Sequence, residues 1–293
     1  MSVNSPNVPF TAPGLGDRIH LLTVAWCYSQ AKAKPVCLHL TADKYDSKKA
    51  ASFAEILQLF PSGSIYVQAH EISGINEPEW ITYLKNKGID ARLFSYNDHL
   101  GRFETREDLD ISPLLKDIPK LKDSIANTKL DLSDRYITTQ WDSTAQTRTL
   151  GKDKIEKILE NYQKLGYEIV VVGGQARTPE LRNSLATIAS VMSGAQLHVG
   201  VDSGFMHLAL LLLQPSQIHL YNEPSGYWSH HLLRAQDLGC PINKFYKPIR
   251  VWRKIRIWIT YDSKFLFIAS NKFPFIQRMI YGSKILQKLF KAK

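Results

Sequence analysis

The stretch from Tyr136 to Tyr221 leaves the chain little choice of fold, because strand-like and helix-like periodicities alternate through it in a fixed order. Tyr136 to Trp141 reads as a strand. Lys152 to Leu165 sets Ile155, Ile158, Leu159 and Tyr162 on one face of a helix, and Tyr167 to Val172 is an apolar run of the kind buried on both faces of a sheet. A helix over about Pro179 to Ser193, a strand over Gln196 to Val201, a helix over Ser203 to Leu213 and a strand over Ile218 to Tyr221 complete a βαβαβαβ unit. Strands joined through helices run parallel, and a doubly wound sheet of this type takes its ligands at the carboxyl ends of the strands.

The first half carries the same alternation in shorter pieces. Gly14-Leu15-Gly16-Asp17 punctuates the start of a helical run, Arg18 to Lys34, in which Ile19, Leu22, Ala25 and Trp26 recur at helical spacing. Val36 to Leu40, Ser64 to Val67 and Ala91 to Phe94 read as strands, with a helical pattern around Phe53, Ile56, Leu57 and Phe60. The polar stretch from about Asn97 to Asp134, with Pro113 and Pro119, reads as the way out of a first domain. A chain of 293 residues, 44% hydrophobic, can bury two cores of ordinary size. The expected division is 1–133, 134–240 and a tail, 241–293.

The formal charge of +10 suggests nucleic acid until its distribution is examined. From Pro241 onward there are 13 Lys and Arg against a single acid, Asp262, whereas the preceding residues hold 24 basic and 26 acidic groups. Basicity therefore belongs to the tail. There, alternating basic and apolar residues over Val251 to Trp258 precede a helical face of Ile276, Met279, Ile280, Leu286, Leu289 and Phe290. Such a segment fits an anionic membrane surface through 249–293, or packs back across the first domain. No nucleic acid is expected as a partner, since no binding motif accompanies the charge.

Cys27, Cys37 and Cys240 have no CxxC spacing and no His-rich neighbourhood, so neither zinc nor a disulfide framework is indicated. The N-terminal residues lack a basic region followed by an apolar one, and no apolar run approaches the roughly 20 residues of a membrane span. The expected location is the cytoplasm, either free or attached to the inner face of the cytoplasmic membrane.

Two glycine turns carry the candidate chemistry. In Val201-Asp202-Ser203-Gly204-Phe205-Met206-His207 an apolar strand meets a small polar turn and then a helix, which places unpaired N–H groups and the positive end of a helix dipole at the sheet edge. That is an anion site; equally, Asp202 or Ser203 could cap the helix, as those residue types do. His207 could reach a phosphate oxygen, or be an ordinary core histidine. In the first half, Gly14 and Gly16 permit a tight turn and close approach, with Asp17 at a helix N-terminus, where it could serve as a cap or as a carboxylate in a site. Gly173-Gly174 ends the Val-rich strand, and Arg148 follows the first strand of the second half, where it could pair with phosphate.

Together and in this order, Gly14-Leu15-Gly16-Asp17 and Asp202-Ser203-Gly204-Phe205-Met206-His207-Leu208-Ala209 resemble glycosyltransferase family 9, the ADP-heptose:lipopolysaccharide heptosyltransferase family. The lead-in Ser184 to Ala195 is similar as well. The likeness covers about 136 to 221 and the opening of the first half. It implies a GT-B fold, two Rossmann-like domains facing a cleft, with a basic helical C-terminal tail. It also implies inverting, metal-independent sugar transfer from a nucleotide-diphosphate sugar to a hydroxyl of a glycan or glycolipid, in cell-surface polysaccharide or lipopolysaccharide synthesis.

By that resemblance Asp17 is the general base, and Gly14 and Gly16 form an acceptor-side loop. Arg148, Gly173, Gly174, Asp202, Ser203, Gly204 and His207 bind the donor's phosphates and nucleotide. No cofactor or metal is implied. The sequence departs from the family pattern in Pro9 within a short first strand, in Leu150-Gly151 where a Trp-Pro pair is usual, and in a second half shorter by about one strand and helix. A sugar-nucleotide epimerase of the same architecture, and a non-enzymatic protein acting on nucleic acid or membrane through the tail, are the alternative readings.

Overall fold

The computed structural model describes residues 7–9, 14–41, 53–75, 77–89, 94–97, 102–105, 121–122, 125, 130–143, 148–221, 232, 235–236 and 238–243. The expectations for the basic tail from 244 onward, and for most of the strand at Ala91 to Phe94, lie outside these residues.

Two parallel sheets dominate. The first has the order β1-β2-β3, from Asn7–Pro9, Val36–Thr41 and Ile65–His70, with helix α1, Leu15–Lys32, crossing between β1 and β2. Helix α2, Phe53–Leu57, precedes β3, and helix α3, Glu77–Asn86, follows it. An antiparallel hairpin of β4, Phe94–Asn97, and β5, Arg102–Thr105, interrupts the stretch read as a polar linker. Phe94, Tyr96 and Phe103 are the apolar signal for this hairpin, diluted by charged neighbours.

The second sheet contains β6, Tyr136–Gln140, β7, Glu168–Val171, β8, Leu197–Gly200, β9, Ile218–Tyr221, and β10, Ile242–Asn243. Its order is β10-β9-β8-β6-β7, all parallel, so the strand order reverses direction beside β6. The βαβαβαβ reading is realised, and β10 carries the sheet three residues past the expected boundary at 240. Helix α4, Lys152–Lys164, covers one face. The expected single helix over Pro179 to Ser193 is two, α5, Pro179–Asn183, and α6, Leu185–Gly194. Ser184 separates them because its backbone is extended and its hydroxyl accepts from the Thr187 N–H at 3.2 Å, starting a new helix. Helix α7, Gly204–Leu212, lies on the same face as α6.

Helix α1 is the pivot of the packing. Every side chain from Arg18 to Ser29 is buried, so over this span the helix has no solvent face and sits inside the protein, while Gln30, Ala31 and Lys32 at its end are exposed. One side meets Val36, Leu38 and Leu40 of β2, and the other meets α7, within a single hydrophobic core that runs through both sheets. Thr23, buried in mid-helix, donates its hydroxyl back to the Ile19 carbonyl at 2.8 Å.

Polar residues are also built into both sheets. On the face of the first sheet that carries His39, His39 Nδ1 and His70 Nε2 lie 2.9 Å apart, with Trp80 and Tyr83 of α3 edge-on to His70. In the second sheet, His198 on β8 bonds Thr138 on β6 through Nδ1 at 3.1 Å. Burial, reinforced by His70, holds the His39 imidazole down at about 4, and burial holds His198 down at about 3.

Acid stability follows. Unfolded histidine titrates near 6.5, so the unfolded chain takes up these protons first. The contribution of both rings is complete above about pH 6.5 and is lost as the pH falls from there toward 4 and 3. Denaturant unfolding at pH 7.5, 5.5 and 4.5 should show a falling midpoint, with a shallower fall in His39→Gln.

Candidate functional site

Helix α1 begins three residues earlier than its apolar spacing suggests. Gly14 occupies the cap position with extended backbone, and Gly14 O accepts from the Arg18 N–H at 3.1 Å. Asp17 therefore lies inside the first helical turn and is not the cap; its side chain lies outside the described residues. Acidic residues favour that turn because of the helix dipole. Arg18 is wholly buried, and burial lowers its pKa from the usual guanidinium value.

At α7 the cap is Ser203, yet its side chain makes no capping bond. The hydroxyl instead donates to Gln140 Oε1 at 2.6 Å. Of the two readings of this turn, side-chain cap or open helix end, the second describes it: the N–H groups of the first turn of α7 take no hydrogen bond from Ser203. Asp202, only 2% exposed, does not cap either. Its Oδ2 faces Arg148 Nε at 3.5 Å, and neither of its carboxylate oxygens accepts a hydrogen bond among the described residues.

The two glycine turns touch. A Cβ on Gly16 would fall 2.6 Å from His207 Cδ2 and 3.3 Å from Gly204 Cα, and a Cβ on Gly204 would fall 3.0 Å from Leu15 Cβ. Only residues without side chains allow the first turns of α1 and α7 to meet this closely. His207 is buried against Gly16, its ring 6.1 Å from that of His20. Asp17, one residue on, is thereby carried on the same turn of backbone that meets the α7 N-terminus.

The carboxyl edge of the second sheet supplies the rest. Gln140, at the end of β6, donates through Nε2 to the Asp142 carbonyl and to Asp142 Oδ1, the latter at 2.5 Å. Gly173 has φ of +80°, and a Cβ there would meet the Phe205 ring at 2.8 Å. A Cβ on Gly174 would meet Asp142 Oδ2 at 3.4 Å. The βα turns after β6, β7 and β8 thus converge on one place, which joins Arg148, Gly173, Gly174, Asp202, Ser203, Gly204 and His207 of α7, with Gly14 and Gly16 arriving from the α1 side.

Sequence reasoning missed Gln140, Asp142 and Phe205. Gln140 could have been suspected as a large polar residue ending an otherwise half-apolar strand; the bond to Ser203, 63 residues away, has no local signal. Among the described residues no three His, Cys, Asp or Glu side chains converge to hold a metal ion, and no helix is long and apolar enough to cross a membrane.

An open helix N-terminus at a doubly wound sheet's carboxyl edge is pressed against a glycine turn from a second parallel sheet, and this juxtaposition defines the α/β protein's candidate site. Among solved structures the chain is similar to E. coli ADP-heptose lps heptosyltransferase II, with 12% identity over 86% of this chain and 96% of that one and a TM-score of 0.51. Further matches are the glycosyl transferase family 9 protein of Veillonella parvula, with 14% identity, 87% and 91% coverage and a TM-score of 0.46, and the iron-containing dodecameric glycosyltransferase TibC of enterotoxigenic E. coli, with 12% identity and a TM-score of 0.42. The TibC match covers 74% of this chain but only 59% of TibC. No family model and no curated protein sequence matches the chain. The fold is that of the heptosyltransferase-like glycosyltransferases of family 9.

The close approaches make a graded prediction. Gly173→Ala meets both a left-handed backbone and the Phe205 ring, and should lose about 1–3 kcal/mol more than the backbone strain alone. Gly166, with φ of +84° and its nearest neighbour at 3.5 Å, isolates the backbone effect, which is about 1 kcal/mol for Gly166→Ala. Urea unfolding of the two variants measures the difference.

Proposed function

We propose that the chain is a glycosyltransferase that moves a sugar from a nucleotide-diphosphate sugar to a hydroxyl of a glycan or glycolipid acceptor, inverting the anomeric centre without a metal. The observation that supports this best is the contact of the two glycine turns, Gly16 against His207 and Gly204 against Leu15. It puts the backbone carrying a carboxylate, Asp17, beside the open N-terminus of α7. Transfer needs those two functions side by side: a base for the attacking hydroxyl and a cradle for the departing diphosphate.

In the proposed step the Asp17 carboxylate takes the acceptor's hydroxyl proton as that oxygen attacks the anomeric carbon. The bond from that carbon to the diphosphate oxygen breaks, and the diphosphate leaves with the electron pair. N–H groups at the start of α7, with His207 and Arg148, meet the charge that develops on it. Asp202 holds Arg148 at the turn, while Gly173 and Gly174 let the ligand approach the backbone. Preorganised donors of this kind stabilise a leaving diphosphate without a cation.

The name of the similar E. coli enzyme, ADP-heptose lps heptosyltransferase II, makes ADP-heptose the first donor to test, and supports the reading that the transfer serves lipopolysaccharide or cell-surface polysaccharide synthesis. Two domains facing a cleft would give donor and acceptor separate walls. The basic tail, 249–293, would hold the enzyme to an anionic membrane surface on the cytoplasmic side, where a glycolipid acceptor is presented.

Asp17→Asn should lower transfer by about 100-fold or more, as loss of a general base does, with nucleoside diphosphate affinity within about twofold of wild type. Arg148→Ala should weaken nucleoside diphosphate binding by about tenfold, the effect of removing a charged hydrogen-bond partner. Near-normal transfer by Asp17→Asn, or donor turnover in the absence of any acceptor, would remove the proposal in favour of another reaction.

A further inference from the structure

We infer that Gln140 is a positioning residue that keeps the N-terminus of α7 open to a diphosphate, by drawing away the hydroxyl that would otherwise close it. The inference rests on the reading of α7 as the diphosphate cradle and adds a residue to it.

Three helices of the second half start at a hydroxyl residue. Thr178 caps α5, accepting from the Leu181 N–H at 3.5 Å, and Ser184 caps α6, accepting from the Thr187 N–H at 3.2 Å. Ser203 stands at the equivalent position of α7 and does not cap. A serine at that position ordinarily accepts from the second or third N–H of its helix, here Phe205 or Met206. An anion would compete with it for the same donors.

The difference is traceable to one side chain. Gln140 is 4% exposed, and its Nε2 is committed to Asp142, which leaves Oε1 turned toward Ser203. The Ser203 hydroxyl donates to that oxygen at 2.6 Å, a short and well-made bond. Ser203 is held away from its own helix with φ of −148° and ψ of 175°. Gln140 is itself fixed from three sides: Asp142 in front, the Gly173 turn beside its Cγ, and the β6–β8 pair beneath.

A second feature of the turn independently points to a ligand. The Asp202 carboxylate is nearly fully buried at the same turn; its Oδ2 pairs with Arg148 Nε at 3.5 Å, and its Oδ1 has no hydrogen-bond partner among the described residues. Buried acceptors of that kind are satisfied in working proteins, and a nucleotide or sugar hydroxyl is a donor of the right chemistry. Gln140 keeps donors available and Asp202 Oδ1 keeps an acceptor available, so the turn is matched to a partner that carries both phosphates and hydroxyls.

The test is a double-mutant cycle on the full chain. Titration calorimetry with ADP, GDP, UDP, CDP and dTDP selects the tightest binder, which is then used with wild type, Gln140→Met, Ser203→Ala and the double variant. Gln140→Met should weaken binding about tenfold in the wild-type background, the order expected for one donor lost to a charged group. In the Ser203→Ala background, where no hydroxyl remains to close the helix, the same change should move affinity by less than about twofold. Gln140→Leu serves as the second variant if Gln140→Met does not fold.

A merely structural glutamine lowers affinity and melting temperature equally in both backgrounds, and that result overturns the inference. So does unchanged affinity in Gln140→Met, which leaves the diphosphate reading standing. Failure of wild type to bind any of the five nucleoside diphosphates removes the reading itself, and the inference with it.

Discussion

The approach of α1 to α7 through Gly16 and Gly204 is the constraint on which the remaining architecture rests. Two helix N-termini carry partial charges of the same sign, and bringing them together is unfavourable unless packing and polar groups offset it. Here the offset is burial: α1 has no solvent face from Arg18 to Ser29, and its apolar side chains join those of α6 and α7 in one core that spans both sheets. Adding a methyl group to either glycine would push against His207 or Leu15 and separate the helices that hold the site together.

Around that contact the second sheet spends much of its buried polarity on orientation. Thr138 and His198 are bonded across β6 and β8, and Gln140 and Ser203 continue the same face up to the carboxyl edge. Gly200 makes this possible, because a Cβ there would fall 2.7 Å from His198 Nε2 and 3.0 Å from the Gln140 carbonyl. A buried network of this kind fixes a unique arrangement where apolar packing would permit several. The Asp202 and Arg148 pair sets charge on the same edge, so both the shape and the electrostatics of the turn derive from side chains that face one another across separate strands.

Much of this was legible in the sequence, and the limits have physical causes. The second half was readable because β6 is buried along its whole length and β8 nearly so, while α4 carries its buried Ile155 and Tyr162 on one face, so the two periodicities are strong and distinct; the strand at Ile218–Tyr221 coincides with its reading. Ser184 was absorbed into a longer helix because a cap inside a helical pattern differs from an exposed serine only by its backbone torsions. Helix α1 was started late since glycines at Gly14 and Gly16 look like a turn, although here they are the cap and the second helical residue. The β4–β5 hairpin was lost in charge, and the His39–His70 pair, like the Gln140–Ser203 bond, joins residues that local pattern cannot connect. The basic tail, 241–293, was read from its charge and from its alternating and helical apolar spacing, and from 244 onward it lies outside the described residues.

The family likeness rests on motif order in the sequence and on topology in the structure, two sources that agree at an identity of 12%. The most direct measurement is a crystal structure of the chain with a bound nucleoside diphosphate. The account predicts the β-phosphate within hydrogen-bond distance of the N–H groups at the start of α7, with Gln140 still accepting from Ser203 and Gly16 still in contact with His207. A diphosphate bound away from that helix end, or a Ser203 hydroxyl turned in to cap it, would contradict the account.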